Sequence, residues 1–473
     1  MVATQPEPLV RTLDRALLKQ LIKRMKLRRT LSLPRGRFST HVMWTFAARL
    51  LMAANSVITG IIIARWLGAG GLGIYAVLSV VVANAVQFGG AGLASANVYF
   101  IARERQHLAS AALNALVFSV VTGGALALIV VGLAALKPAL FGDIPLELLA
   151  VAVAAIPFHL ISLLTLNIFL VEGRIDRYVL LDLLGQSFVL LNAMLVLLVF
   201  GAGLRQLVFL NTVTLVVVGI GIAWVMYRYL KKQDVVTGWR LNVGLFRRMM
   251  RYGIKYNVLM IATMLVLRAD LLIVNVFRGA TEAGVYSVAS QGALMLLMLP
   301  TVIASLLFPR VAAERDATGE MTCRVTRQTA LVMLIVCLAA VPASLALPVL
   351  YGASFADSTI QLLILLPGVY LFGLESILVQ HFVGTGLPRV ILLFWAATVL
   401  VSIVLNLALV PVFGARGAAV SSTLSYSLIF TLVVAYFRAR TGNSFSSILL
   451  PDMTQVRELM ALLRPMNFLS RRV

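Results

Sequence analysis

Six charged side chains fall inside stretches that are otherwise apolar, and the chemistry of this chain must be sought there first. Arg49 lies about two turns into the apolar run 42–64. Arg268 lies about two turns from the far end of the run 252–277, which also holds Lys255 and Asp270. Asp182 belongs to the run 178–200 and Glu375 to the run 359–383. A charged side chain at the middle of a membrane helix costs about 2.5–3.5 kcal/mol on insertion scales, so such residues face a polar cavity or one another. A guanidinium offers a rigid fork of donors that matches phosphate oxygens. Arg49 and Arg268, each on the first span of one half of the chain, are therefore read as the wall of a cationic cavity for an anionic solute. Asp270, Glu375 and Asp182 are the candidates for ion or proton coupling. Snorkelling is the alternative for Arg49, about 10 Å in from its end of the span, and for Lys255 and Asp182. Arg268 and Asp270 are two residues apart, so on a helix they do not face each other.

Other chemistries lack their residues. The chain contains no Gly-Lys pair, hence no phosphate-binding loop of the Gly-x-x-x-x-Gly-Lys-Ser/Thr type. His41, His107, His159 and His381 have no metal-ligand spacing with Cys or Glu; His159, after Pro157, reads as a polar residue packed between helices. Cys323 and Cys337 are too few for a disulfide framework. No nucleophile–base set or carboxylate pair stands out, so neither a metal, a cofactor nor enzymatic activity is expected.

The elements that must position those charges are membrane spans. The composition is 61% hydrophobic and 12% charged, more apolar than a soluble core requires. Twelve spans are predicted, at 42–64, 74–100, 108–136, 147–170, 178–200, 206–229, 252–277, 284–308, 327–350, 359–383, 390–412 and 417–437. With the N-terminus cytoplasmic, only five of the 40 Lys and Arg (Arg65, Lys137, Arg205, Arg278 and Arg416) fall outside, and Arg49, Lys255 and Arg268 lie within spans. All the others fall on the cytoplasmic side, which satisfies the positive-inside rule and puts both termini there. The net charge of +22 thus reports topology, and no nucleic acid is needed to explain it. Outer loops are short, which argues against an enzyme that polymerises or ligates saccharides on that face.

Two basic segments flank the spans. In residues 8–29, Leu9, Leu13, Leu17, Leu21 and Met25 share a helical face while Arg11, Arg15, Lys19, Lys23 and Lys26 lie largely on another. This pattern suits an interfacial helix on anionic membrane lipids; docking to a cytoplasmic partner, or a topology signal alone, are the alternatives. It lacks the apolar core and cleavage site of a signal peptide. The segment 451–473 is again basic and amphipathic, with Val456, Leu459, Met460 and Leu463 at helical spacing.

The chain also echoes itself. Gly68-Ala69-Gly70-Gly71-Leu72-Gly73-Ile74-Tyr75 returns as Gly279-Ala280-Thr281-Glu282-Ala283-Gly284-Val285-Tyr286, an offset of 211 residues. Val199-Phe200-Gly201-Ala202 returns as Val412-Phe413-Gly414-Ala415, an offset of 213. Glu172-Gly173-Arg174 and Thr385-Gly386-Leu387 make a third, looser pair. Two parallel halves are the simplest cause, and such halves enclose a substrate site near the bilayer midplane. The expected organisation is an N-terminal segment 1–40, a six-helix lobe 41–230, a linker 231–250, a second six-helix lobe 251–437 and a tail 438–473. The fold class is an all-α polytopic membrane protein.

Four motifs in order resemble one family. Ala64-Arg65-Trp66-Leu67-Gly68 through Tyr75, and Arg268-Ala269-Asp270 followed by Gly279 to Tyr286, are similar to blocks of the polysaccharide-transporter (Wzx-type) flippases. So are Leu307-Phe308-Pro309-Arg310, at the end of the eighth span, and Leu405-Asn406 through Gly414, at the junction of the last two. These flippases belong to the multidrug/oligosaccharidyl-lipid/polysaccharide (MOP) superfamily, and the resemblance covers about 40–437. It implies two lobes in a V around a central cavity, with alternating access. It implies transfer of undecaprenyl-pyrophosphate-linked oligosaccharide from the cytoplasmic to the periplasmic leaflet of the bacterial inner membrane. The product would be O-antigen, capsule or exopolysaccharide, with a polysaccharide polymerase and a chain-length regulator as further partners. The motif residues Gly68, Gly73, Tyr75, Gly279, Gly284, Tyr286, Pro309 and Asn406 are read as structural, the glycines and tyrosines as tight turns and interfacial anchors. Arg49 and Glu375 lie outside the motifs.

Competing readings remain. A MOP drug exporter carries an acid in its early spans, where this chain has Arg49. A lipid II flippase has fourteen spans. A major-facilitator carrier needs a Gly-x-x-x-Asp-Arg/Lys motif where Arg103-Glu104-Arg105-Gln106-His107 stands, and a purely structural subunit would not need Arg268.

Overall fold

The computed structural model describes residues 35–103, 105–232, 240–314 and 318–449. The amphipathic segment expected at 8–29, the middle of the linker (233–239) and the tail segment 451–473 lie outside the described residues. Chain packing divides the protein into two units, Met1–Leu51 and Met52–Val473. The described part of the first is the start of helix α1 (Arg35–Gly89), where Arg49 is exposed.

The second unit is built of helices, with no strand among its described residues. After the rest of α1 come α2 (Leu93–Arg103), α3 (Leu108–Leu136), α4 (Leu146–Val153), α5 (Ile156–Val171), α6 (Ile175–Ala193) and α7 (Leu204–Lys232). There follow α8 (Val243–Leu296), α9 (Met298–Glu314), α10 (Glu320–Ser344), the short α11 (Leu347–Tyr351), α12 (Ala356–Thr385), α13 (Arg389–Thr441) and α14 (Phe445–Leu449).

Nine helical segments among the described residues are long and apolar enough to cross a membrane. Three of them, Ala47–Gly89, Asn257–Leu307 and Arg389–Thr441, run for 43, 51 and 53 residues. At about 1.5 Å per residue each is at least twice the ~30 Å of a bilayer core. Each also contains one non-helical glycine: Gly68 (φ 69°, ψ −173°), Gly279 (φ 80°, ψ 174°) and Gly414 (φ 62°, ψ −145°). That backbone region is closed to side chains with a Cβ, so glycine alone lets one helix end and the next begin without an intervening loop. Six of the twelve predicted spans fall in pairs on these three double-length segments, and the gap within each pair contains its glycine.

Four predicted spans are interrupted, those at 284–308 and 327–350 breaking at Leu297 and at Leu345–Ala346. The span expected at 74–100 stops at Gly89 and restarts at Leu93, with Ala91 and Gly92 at φ 45° and 73°. Gly92 lies against the backbone of Gly253, where an added Cβ would come within 2.0 Å of the carbonyl oxygen. The span expected at 147–170 breaks between α4 and α5, just before Pro157, which lacks the N–H to continue a helix.

Candidate functional site

A cavity of about 500 Å³ lies among helices α1, α5, α6, α7 and α8 of the second unit. Its ionisable lining is sparse: Arg268 from α8, Asp182 from α6 and His159 from α5. The remaining polar lining is neutral and rich in hydroxyls and amides, including Thr59, Tyr75, Gln186, Asn211 and Gln291. Gln291 donates to Ser56 Oγ at 3.2 Å, which ties α8 to α1 beside this space. Tyr351, at the end of α11, also lines it; burial pushes its phenol up to about 12, so it is a neutral hydrogen-bonding group at physiological pH. Expelling polar side chains from lipid into such a space is the least costly way to keep them in a membrane helix.

Arg268 and Asp270 separate as helical geometry requires, since two residues turn a helix by about 200°. Arg268 lines the cavity and makes no hydrogen bond or ion pair to a described side chain. Asp270 points away from it and is 3% exposed. One carboxylate oxygen accepts from Tyr286 Oη at 2.5 Å and from Ser422 Oγ at 2.8 Å, and the other from the backbone N–H of Leu271 at 2.7 Å. Asp270 is thus the acceptor that holds both halves of α8 to the second half of α13.

The other candidates are dispersed. Asp182 shares the cavity with Arg268. Glu375, in α12, is 1% exposed, absent from the lining, and has one carboxylate oxygen without a hydrogen-bond partner among the described residues. Arg49 belongs to the first unit and the cavity lining to the second. Among the described residues this lining therefore carries one arginine, where the sequence suggested two. His159, read as a packing residue, also lines the cavity, with Nδ1 buried and without a hydrogen-bond partner among the described residues. Its proximity to Pro157 says nothing about which way its ring points, so no sequence signal could have found it. Among the described residues no group of three or more His, Cys, Asp and Glu is placed to hold a metal ion.

The motif residues divide by role. Gly68 and Gly279 make the expected turns. Gly73 and Gly284 do not: they pack the second helix of one half against that of the other. A Cβ on Gly73 would lie 1.7 Å from the Ala280 carbonyl oxygen, and one on Gly284 2.0 Å from that of Ala69. Tyr286 is no interfacial anchor, being fully buried beside Asp270. Tyr75, its counterpart, lines the cavity. Asn406 is buried and donates to the Ser402 carbonyl at 2.8 Å, a contact within its own helix. Pro309 lies within α9.

The repeat offset makes a finer comparison possible. Asp270 and Tyr286 lie 211 residues after Thr59 and Tyr75, and Ser422 lies on the helix that repeats the one holding Asn211, where the echo is offset by 213. In the earlier set Asn211 Nδ2 donates to Tyr75 Oη at 3.3 Å, while Thr59 Oγ1 donates to the Asn55 carbonyl at 2.7 Å. All three line the cavity, and none of the later three does.

This arrangement of helices is shared with transporters and flippases. The inward-facing conformation of a MATE-family multidrug resistance transporter of the MOP superfamily superposes with a TM-score of 0.69 at 14% identity, covering 85% of this chain and 98% of that one. The lipid II flippase MurJ, inward closed, gives 0.66 at 13% identity, with 89% and 92% covered. An outward-facing MATE transporter gives 0.61 at 15% identity, with 86% and 94% covered. The chain is a multi-pass membrane protein with the MOP-superfamily fold. A family profile described as "Polysaccharide biosynthesis protein" matches residues 62–360, and the chain belongs to that family. No curated protein sequence matches it.

Proposed function

We propose that this protein moves undecaprenyl-pyrophosphate-linked oligosaccharide from the cytoplasmic to the periplasmic leaflet of the bacterial inner membrane, by alternating access of two lobes, 41–230 and 251–437. The observation that carries the reading is the cavity: one guanidinium with one carboxylate, Asp182, among hydroxyls and amides, inside a membrane protein of a polysaccharide biosynthesis family. Arg268 takes the pyrophosphate, whose oxygens suit its fork. The sugar occupies the neutral lining, and the polyprenyl tail stays in the bilayer. Arg49 is a second candidate for the headgroup. Glu375 and Asp182 are the coupling candidates; Asp270 would first have to release three donors. Both termini are cytoplasmic, and the basic segment 8–29 rests on anionic lipid.

Deleting the chromosomal copy tests this. We expect loss of surface polysaccharide with lipid-linked repeat units accumulating inside. Wild type restores export, while Arg268→Ala at equal membrane level does not. Normal polysaccharide with altered drug susceptibility would overturn the proposal in favour of a drug exporter.

A further inference from the structure

We infer that Thr59, Tyr75 and Asn211 form a subsite for the hydroxyl and acetamido groups of the carried saccharide, separate from the arginine that takes its phosphates. This rests on the flippase reading above. Three observations carry it.

First, a similar set in the second half, with Asp270 and Tyr286 at the positions of Thr59 and Tyr75 and Ser422 on the helix that repeats that of Asn211, forms a closed knot. There an acid saturates the tyrosine and the serine, and all three side chains are withdrawn from the cavity. In the first half threonine replaces the acid and the three side chains line the cavity. A set kept only for packing would have no reason to open toward a polar space.

Second, the amide is aimed from behind. Asn192, 6% exposed, donates to Asn211 Oδ1 at 2.9 Å and to Thr214 Oγ1 at 2.8 Å. With its carbonyl so occupied, Asn211 turns its NH₂ toward Tyr75 and the cavity, spending one proton on the phenol oxygen. The second proton has no acceptor among the described residues. Thr59, which spends its own proton on the Asn55 carbonyl, presents lone pairs.

Third, the wall is neutral. It offers donors, acceptors and the face of one aromatic ring, with no cation of its own. Sugar hydroxyls donate and accept together, and acetamido groups do likewise, so they fit such a wall. A second phosphate does not, since burying its charge without a cation is costly.

The test uses the full chain in lipid nanodiscs. Three probes are bound to it: bare undecaprenyl pyrophosphate, the same lipid bearing one hexose, and the same lipid bearing one N-acetylhexosamine. Wild type is expected to prefer a sugar-bearing probe by about fivefold or more, the equivalent of one or two hydrogen bonds. Tyr75→Phe and Asn211→Ala should each lose most of that preference while keeping their affinity for the bare lipid. Asn192→Ala, which touches no ligand, should weaken it by releasing Asn211. Arg268→Ala should weaken all three probes alike. Thermal melting of each variant identifies any that fails to fold, and the remaining variants then decide. The inference is overturned if wild type shows no preference for either sugar, or if the preference survives both Tyr75→Phe and Asn211→Ala. If wild type binds none of the three, the flippase reading itself fails, a different result from binding without preference.

Discussion

Thr59 and Tyr75 stand where Asp270 and Tyr286 stand 211 residues later, with Asn211 and Ser422 on the helices that follow, and the two sets differ in whether they reach the cavity. The later set is buried, with a carboxylate taking two hydroxyl donors and a backbone N–H. The earlier set lines the cavity and lacks an acid. One residue type accounts for much of this. A buried carboxylate must collect donors, so it draws a tyrosine and a serine from two other helical segments and locks them. A threonine satisfies its only proton within its own helix and leaves its neighbours available. The repeat thus uses one geometry for two purposes, a fastening in the second half and an open wall in the first.

The largest expected effect lies where the halves agree. Gly73→Ala and Gly284→Ala each drive a methyl group into a facing backbone carbonyl. Each should cost about 3 kcal/mol, and their similarity would mark a shared contact. Melting temperature in detergent measures it, and a neutral result for either would place the helices further apart than described.

The triads should then differ in stability. Asp270→Ala strands the Tyr286 and Ser422 hydroxyls in a buried setting, at about 2–3 kcal/mol. Thr59→Ala should cost less than about 1 kcal/mol, the value of one exchangeable hydroxyl bond. Equal melting shifts for the two would break the comparison. Smaller again is the tyrosine pair: Tyr286→Phe should cost about 1 kcal/mol, and Tyr75→Phe close to nothing, its effect appearing in ligand binding instead.

The most pointed substitution has the smallest stability effect. Thr59→Asp places in the first half the acid of the second, and should draw Tyr75 away from the cavity. We expect a folded protein that retains the bare lipid and loses about fivefold of its preference for the sugar-bearing one. Unchanged preference would mean that the acid alone does not close the knot.

Much of this was legible in advance. The repeated glycine–tyrosine block located the helix breaks at Gly68 and Gly279, because only glycine adopts that backbone and its spacing from Tyr75 and Tyr286 recurs. Arg268 was legible as a cavity residue because a charge that deep has few other places to go. Gly73 and Gly284 were misread as turns, since a glycine for close packing and a glycine for a turn look alike in sequence. Tyr286 was misread as an interfacial anchor, since its depth depends on a carboxylate sixteen residues earlier that turns inward.

By itself, the sequence determined the membrane class, the approximate spans, the repeat and the presence of costly intramembrane charges. These follow from local composition and period, which each segment carries alone. Only the tertiary structure decided which charges meet. It placed Arg268 with Asp182 and His159 on one cavity, withdrew Asp270 and Glu375, and opened one triad while closing its copy. The reason is rotational: the side of a helix that a residue occupies relative to distant helices depends on crossing and packing, and those contacts join residues more than a hundred positions apart.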